Sequence, residues 1–215
     1  FILLQQVVEA VTGKTLDAYL VSEFYRPMGL EHTLFQPLNR YKKADIMPTA
    51  ANDYLRRQDL CGYVHDEAAA FMGGVSGNAG LFSTAQELGK IYQMILNEGE
   101  LDGKRYLRPE TCRIFTTEKS AVSHRGLGYD KPNLKDPKAN ACASSAPASV
   151  YGHTGFTGTC AWVDPTNGLV YVFLCNRIYP DVWNTKLMRL DIRTRIQEAV
   201  YQALKQIHNC TKRNQ

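Results

Sequence analysis

The six cysteines (Cys61, Cys112, Cys142, Cys160, Cys175, Cys210) form no C-x-x-C pair, which excludes zinc-ribbon and thioredoxin-type sites on spacing alone. None of the five histidines (His32, His65, His124, His153, His208) has a partner four residues away, so the helical two-histidine metal motif is absent and no metal or cofactor is expected. Neither G-x-x-x-x-G-K-[ST] nor G-x-G-x-x-G occurs, which removes the usual phosphate cradles. A nucleophile elbow is missing too, because Gly74-Val75-Ser76-Gly77-Asn78 breaks at its last position. No apolar stretch approaches the roughly 20 residues that span a bilayer, so no membrane span is expected. There is no basic run either: 25 basic and 21 acidic residues are interspersed, with net charge +4, and nucleic acid is not an expected partner. Arg56-Arg57 reads as solvated surface. The chain opens without Met inside an apolar helical pattern, and it is read as a piece of a longer protein in which a missing signal segment says nothing about compartment.

What is present centres on Ser149 to Arg177. Tyr151-Gly152-His153-Thr154-Gly155-Phe156-Thr157-Gly158-Thr159 leads through Cys160-Ala161-Trp162-Val163 into Asp164-Pro165-Thr166-Asn167-Gly168, and an apolar run follows from Leu169 to Cys175. Pro and Asn-Gly set turn dihedrals while Val, Tyr, Phe and Trp suit a pleated surface, so two antiparallel strands joined by a turn are predicted. Gly152, Gly155 and Gly158 weaken the first strand, and such glycines mark a close approach of backbone or ligand. With His153, Thr154 and Thr157 among them, the segment predicts an accessible edge beside a titratable ring. Taken alone, a strand histidine bonded to a neighbour is the simpler reading. Cys160 and Cys175 fall in the strand patterns and are read as buried free thiols.

Elsewhere the pattern is helical. Leu3, Leu4, Val7, Val8 and Val11 share one face of a helix stopped by Gly13, and Thr15 can cap a second helix that turns Leu16, Tyr19, Leu20 and Phe24 inward. Residues 31 to 72 lack periodicity and are read as long surface connections with short helical turns. The glycine loop 73 to 80 runs to Ser83, an N-cap candidate with Gln86 at capping-box spacing, ahead of a helix carrying Leu88, Ile91, Tyr92, Ile95 and Leu96. Pro109 opens a short helix, Arg125 to Tyr129 reads as a strand, and 130 to 148 as an exposed loop. Leu187, Leu190, Ile196, Val200, Leu204 and Ile207 predict a long closing helix over the sheet. Helices first, then strands, then a helix make an α+β chain, read as one domain over 1–215: mainly helical in 1–120, sheet strands and the closing helix in 121–215.

The order of these pieces is more specific than any one of them. Val-Thr-Gly-Lys at the end of the first helix, Ala-Gly-Leu-Phe-Ser-Thr-Ala before the capped helix, Arg-Gly-Leu-Gly-Tyr, Gly-His-Thr-Gly-Phe-Thr-Gly-Thr and an apolar strand ending in Asn176-Arg177 together resemble the serine β-lactamase-like family of β-lactamases, penicillin-binding D-alanyl peptidases and related esterases. The likeness runs from Phe1 to about Leu204 and implies a partial fold of that family. Of the family's three motifs, only the third is here, as His153-Thr154-Gly155; no Ser-x-x-Lys exists in the chain, and Phe1 looks like the start of the helix that follows the second motif. The resemblance implies a serine hydrolase acting on an ester or amide, a β-lactam or D-amino-acid peptide included, through an acyl-enzyme, in the periplasm or secreted. His153, Thr154 and Gly155 would form the strand wall, the Phe156 N–H half of the oxyanion hole, and Asn78 with Ala79 the opposite lining. No nucleophile lies in the 215 residues, so this stretch alone is expected to be inactive. His153 in place of a permanently charged lysine makes neutral esters or amides better candidates than carboxylate-bearing substrates. Asn176 and Arg177 are read as a cap on the sheet edge rather than an anion site. Two other readings stay open: a non-catalytic binding or scaffold domain, and self-association through an exposed sheet edge.

Overall fold

In the first helix, α1 (Ile2–Thr12), sequence order dictates where the helix stops: Gly13 takes φ 67° and its N–H closes on the Glu9 carbonyl at 2.9 Å. The expected inward face is reversed. Val11 is 81% and Leu3 76% exposed, while Gln5 is the buried residue of the helix. The reason is polar: Gln5 Oε1 accepts the Gly77 N–H at 2.9 Å and its Nε2 donates to Glu9 Oε1 at 3.1 Å, so the helix docks by its hydrogen-bonding side on the glycine loop. The computed structural model describes residues 1–117, 120–136 and 140–213. Its described residues divide into two units, 1–90 with 176–184 and 91–175 with 185 onward.

In the first unit α2 (Leu16–Leu20) is capped by Glu9, whose Oε1 accepts the Leu16 N–H at 2.9 Å, and not by the Thr15 side chain. A wider turn over Val21–Tyr25 carries Tyr25 inward, ahead of Met28 and Leu30. The stretch expected to be mostly loop holds β1 (Leu34–Phe35) and a hairpin of β2 (Pro48–Asp53) and β3 (Gln58–Cys61). Its turn is pinned by Arg56, which donates from Nε to Asp53 Oδ1 and from Nη2 to Asp53 Oδ2, both at 2.9 Å, and from Nη1 to the Val64 carbonyl. The Arg56 hydrogen bond holds the Asp53 carboxyl below its ordinary range. Arg56 is therefore half-buried structure, not solvated surface as its sequence context suggested.

The short α3 (Glu67–Phe71) is capped by Asp66, which accepts the Ala69 N–H at 2.8 Å. β4 (Leu81–Phe82) pairs antiparallel with β1, and α4 (Ala85–Leu96) follows. Thr84, one residue later than expected, caps α4 by accepting the Glu87 N–H at 3.3 Å. Glu87 does not reach back as in a capping box. It accepts instead from the Glu31 and His32 amides, each at 3.0 Å, and from Thr33 Oγ1 at 2.6 Å, tying the helix to the segment before β1. In mid-α4, Gly89 has helical backbone and open space where a Cβ would go. Gly89→Ala is expected to raise stability by about 0.5–1 kcal/mol, read as a higher urea midpoint at unchanged slope. Between Asn176 and Asn184, Asn176 Nδ2 donates to the Pro48 and Thr49 carbonyls and Arg177 Nη1 to Val182 and Asn184 carbonyls, so both serve as backbone ties.

The second unit begins within α4, at Ile91, and continues with the small hairpin β5 (Glu100–Leu101) and β6 (Lys104–Arg105), then α5 (Pro109–Thr117). The predicted strand at 125 to 129 is a tight turn: Gly126 N–H bonds the Tyr129 carbonyl at 2.8 Å, with Gly128 at φ 82°. The following segment is not an exposed loop throughout, since Asp130, Lys131, Pro132, Cys142 and Ala143 are buried; residues 137–139 of that expectation lie outside the described residues. The glycine-rich ribbon is two strands, not one. β7 (Tyr151–Thr154) and β8 (Cys160–Asp164) pair antiparallel around the Gly155–Gly158 turn, and β9 (Leu169–Phe173) completes the order β7–β8–β9. Trp162, Val150, Cys142, Cys160 and Tyr171 form the core on one side. Cys160 and Cys175 are not joined in a disulfide; Cys160 is buried and Cys175 half-buried.

The closing helix is broken into α6 (Lys186–Arg189) and α7 (Ile192–Arg213) at Asp191, which takes φ 49°. It covers the sheet as expected, but through different residues: Gln197 and Tyr201 are buried whereas Leu190, Ile196 and Ile207 are exposed. Tyr201 Oη donates to Asp164 Oδ2 at 2.9 Å, Gln197 Oε1 accepts the Ala143 N–H at 2.8 Å, and Arg193 Nη1 donates to the Thr159 carbonyl at 3.0 Å. Polar anchors to a buried aspartate and to irregular backbone fix the rotation of α7 against its apolar stripe.

Candidate active site

β7 is an edge strand because β8 takes only one of its sides. On the other side Asp130 exchanges two backbone bonds with Gly152, N–H to carbonyl at 2.7 Å and carbonyl from N–H at 3.1 Å. Gly152 is required by the opposite neighbour, since a Cβ there would lie 2.6 Å from Trp162 Cε3 and would collide with the Ala161 carbonyl oxygen. The pairing continues through His153 opposite Ala161 and Thr154 opposite Cys160, and then the chain turns: Gly158 N–H bonds the Gly155 carbonyl at 3.0 Å and Gly155 N–H the Thr159 carbonyl at 2.8 Å. Phe156 stands at the first central position of that turn with its ring in solvent.

His153 is half-buried and doubly engaged. Its Nδ1 lies 2.7 Å from the Thr154 carbonyl, which only accepts, so Nδ1 carries the proton and donates. Its Nε2 is then the acceptor, facing Arg125 Nη1 at 3.3 Å. The same Nη1 lies 2.9 Å from Asp130 Oδ1 as an ion pair, in which Asp130 is buried and Arg125 is 58% exposed. Asp130 Oδ1 has this charge contact but no well-aligned hydrogen bond. Asp130, Arg125 and His153 thus form one chain of contacts along the β7 edge.

His153, Thr154, Gly155 and Phe156 are brought together on this one hairpin of the second unit. Asn78 and Ala79 belong to the first unit. There Asn78 Oδ1 accepts from Ser76 Oγ at 2.6 Å, Asn78 Nδ2 donates to Asp66 Oδ1 at 3.2 Å, and Ala79 N–H bonds the Ser76 carbonyl. Both ends of the Asn78 carboxamide are thereby used in holding the glycine loop to the α3 cap. Sequence reasoning missed Arg125 and Asp130, which it placed in a strand and a loop. The available signal was an arginine and an aspartate bracketing Gly-Leu-Gly-Tyr, a turn that sets the two ends side by side. Burial pushes the Cys160 thiol up to about 11 and the Cys142 thiol up to about 12, which disfavours the attacking thiolate at these two positions. Among the described residues no cluster of histidine, cysteine and carboxylate has metal-binding geometry. No helix of the described residues is long and apolar enough to cross a membrane.

Helices beside an antiparallel sheet, with a glycine-spaced His-Thr-Gly strand at the sheet edge, define the class to which comparison with known proteins also leads. The β-lactamase family model matches residues 1–191, and the chain belongs to that family. Among sequence relatives, a protein of Escherichia coli strain K12 named "Putative D-alanyl-D-alanine carboxypeptidase" is 34% identical over 227 residues, covering 96% of this chain and 52% of the relative. A Salmonella schwarzengrund protein of the same name is 34% identical over 206 residues, covering 87% and 46%. The chain thus spans about half the length of the curated relatives it matches. Among solved structures, a β-lactamase from Mycobacterium bovis aligns with TM-score 0.60 at 20% identity over 94% of this chain and 61% of its own. Simvastatin synthase from Aspergillus terreus aligns with TM-score 0.63 at 19% identity over 94% and 52%. At such identities these two structures establish the fold and nothing finer.

Proposed function

We propose that the complete gene product is a serine hydrolase that attacks an ester or amide carbonyl through an acyl-enzyme, and that this chain supplies the strand wall of its cleft. In that reading a serine hydroxyl from sequence outside the 215 residues adds to the carbonyl, and the leaving alcohol or amine departs with the proton. Water then releases the acyl group. The Phe156 N–H, following the His153-Thr154-Gly155 strand, is one of two donors to the developing oxyanion; Thr154 Oγ1 bonds a polar group of the substrate. Asn78 and Ala79 line the substrate side of the glycine loop. The proposal includes a periplasmic or secreted location.

The observation that carries this reading is the β7–β8 turn, which puts the Phe156 amide directly after a short edge strand. Support comes from the family membership and from the names of the sequence relatives. The test is stopped-flow acylation of the complete gene product by p-nitrophenyl acetate. One equivalent of p-nitrophenol is expected in a burst, with a matching acyl mass increment on a serine, and His153→Ala is expected to change the acylation rate at least about tenfold. A complete gene product that takes no acyl group leaves the scaffold reading.

A further inference from the structure

We infer that Arg193 is a positioning residue for the oxyanion donor, aiming the Phe156 N–H through the carbonyls of the β7–β8 turn; the role rests on the acyl-transfer reading above. The turn itself shows why a support is needed. Its tip, Gly155-Phe156-Thr157-Gly158, contains two glycines, the residues whose backbone is least restricted, and its Phe156 side chain is exposed.

One peptide plane sets the direction of the donor. The Phe156 N–H and the Gly155 carbonyl belong to the same planar trans peptide and point opposite ways. That carbonyl accepts the Gly158 N–H at 3.0 Å, so the place of Gly158 decides where the Phe156 N–H points. In an extended strand successive carbonyls face opposite sides, but Gly158 takes φ 106° and bends the chain, and a single nitrogen reaches two of them. Arg193 Nη1 donates to the Gly158 carbonyl at 3.3 Å and to the Thr159 carbonyl at 3.0 Å. The Thr159 carbonyl also accepts the Gly155 N–H at 2.8 Å, so the guanidinium holds the returning arm of the turn at the two residues that bond back to Gly155.

Arg193 is itself fixed. Asp191 at φ 49° separates α6 from α7 and leaves Arg193 in the first turn of α7. Its carbonyl accepts Tyr171 Oη at 3.1 Å, and Tyr171 is buried on β9 opposite Trp162 of β8. Backbone and side chain of one residue thus dock on the sheet and on the turn that leads into it, all within the second unit. The planar guanidinium supplies two N–H groups on Nη1, one for each carbonyl, in a geometry that a lysine ammonium on its flexible stem does not hold.

A residue that aims an oxyanion donor acts on the transition state and leaves ester binding alone. The experiment is stopped-flow acylation of the complete gene product by p-nitrophenyl acetate over a range of ester concentrations, which separates the acylation rate constant, the half-saturation concentration and the burst amplitude. Arg193→Met is expected to lower the rate constant about 10- to 100-fold, with half-saturation unchanged to within about twofold and about one equivalent of p-nitrophenol still released. Arg193→Lys, which keeps the charge and loses the planar pair of donors, is expected to fall between. Rate constants within about twofold of wild type in both variants overturn the assignment. So does a loss confined to the burst amplitude, the sign of an arginine that merely holds the fold, or one confined to half-saturation. Should circular dichroism show Arg193→Met unfolded, the rate constant of Arg193→Lys decides alone. Failure of the parent reading looks different: a wild type without a burst sinks the hydrolase and this role with it, whereas a full wild-type burst that both variants reproduce sinks Arg193 alone.

Discussion

Gly152→Ala is expected to destabilise the β7–β8–β9 sheet by about 3 kcal/mol or more, the upper end of what overpacking costs. The backbone of Gly152 is ordinary, so the effect comes from contact, not from a strained dihedral. An added Cβ meets the Ala161 carbonyl oxygen and lies 2.6 Å from Trp162 Cε3 and 2.8 Å from Trp162 Cα. None of these atoms is the free end of a flexible side chain. Trp162 is 2% exposed and packs with Val150, Cys160 and Tyr171, so it has nowhere to retreat. The strand is held from the outside as well, by the two bonds between Gly152 and Asp130, so β7 cannot shift outward without breaking them. Urea denaturation followed by circular dichroism measures the loss. Gly89→Ala, in open space on a helix, provides the opposite sign from the same substitution. A Gly152→Ala loss below about 1 kcal/mol would mean that β7 is only loosely seated on β8, and the site built on it would lose its rigid support.

Glu87→Ala is expected to cost about 2–4 kcal/mol at pH 7, because it strands three donors that converge on one carboxylate. The side chain of Glu87 is 9% exposed, and it accepts from two consecutive amides and the Thr33 hydroxyl while His32 Nδ1 lies 2.9 Å from its Oε1. Burial pushes its pKa up, but the hydrogen bonds from Thr33, His32 and Glu31 outweigh it and the net shift is downward from 4.5. A carboxyl whose folded pKa is depressed contributes stability that is fully present above its unfolded value and is lost as pH falls through the folded value. The difference in unfolding free energy between wild type and Glu87→Gln is therefore expected to be constant from neutral pH to about 5 and to shrink below 4.5. Other carboxyls titrate in both proteins and cancel in the difference. A gap that stays unchanged down to pH 2 would show that the Glu87 carboxyl titrates alike in the folded and unfolded chain, and that its hydrogen bonds do not favour the ionised form.

The elements legible in the sequence were those whose signal is local. Gly13 stops α1 because a left-handed residue is needed there, Pro109 opens α5, and the strand-forming residues on either side of Asn167-Gly168 give the β8–β9 hairpin. The β2–β3 hairpin was illegible, since Pro48-Thr49-Ala50-Ala51-Asn52-Asp53 has no apolar period and is held by the Asp53–Arg56 pair at its turn. Faces were the weakest inference. Periodicity says that α1 and α7 have an apolar stripe; it does not say which side docks when Gln5, Gln197 and Tyr201 reach backbone and carboxylate partners more than 30 residues away.

The site divides in the same way. The sequence by itself determined the β-lactamase family and the strand that carries His153 and Thr154, because each is written in consecutive residues whose backbone requirements are local. Only the tertiary structure decided that the strand histidine has both ring nitrogens engaged and that Arg125, paired with Asp130, stands beside it. Charge placement of that kind depends on which distant backbone a turn returns to, and a hydrogen bond across 28 residues leaves no trace in local spacing.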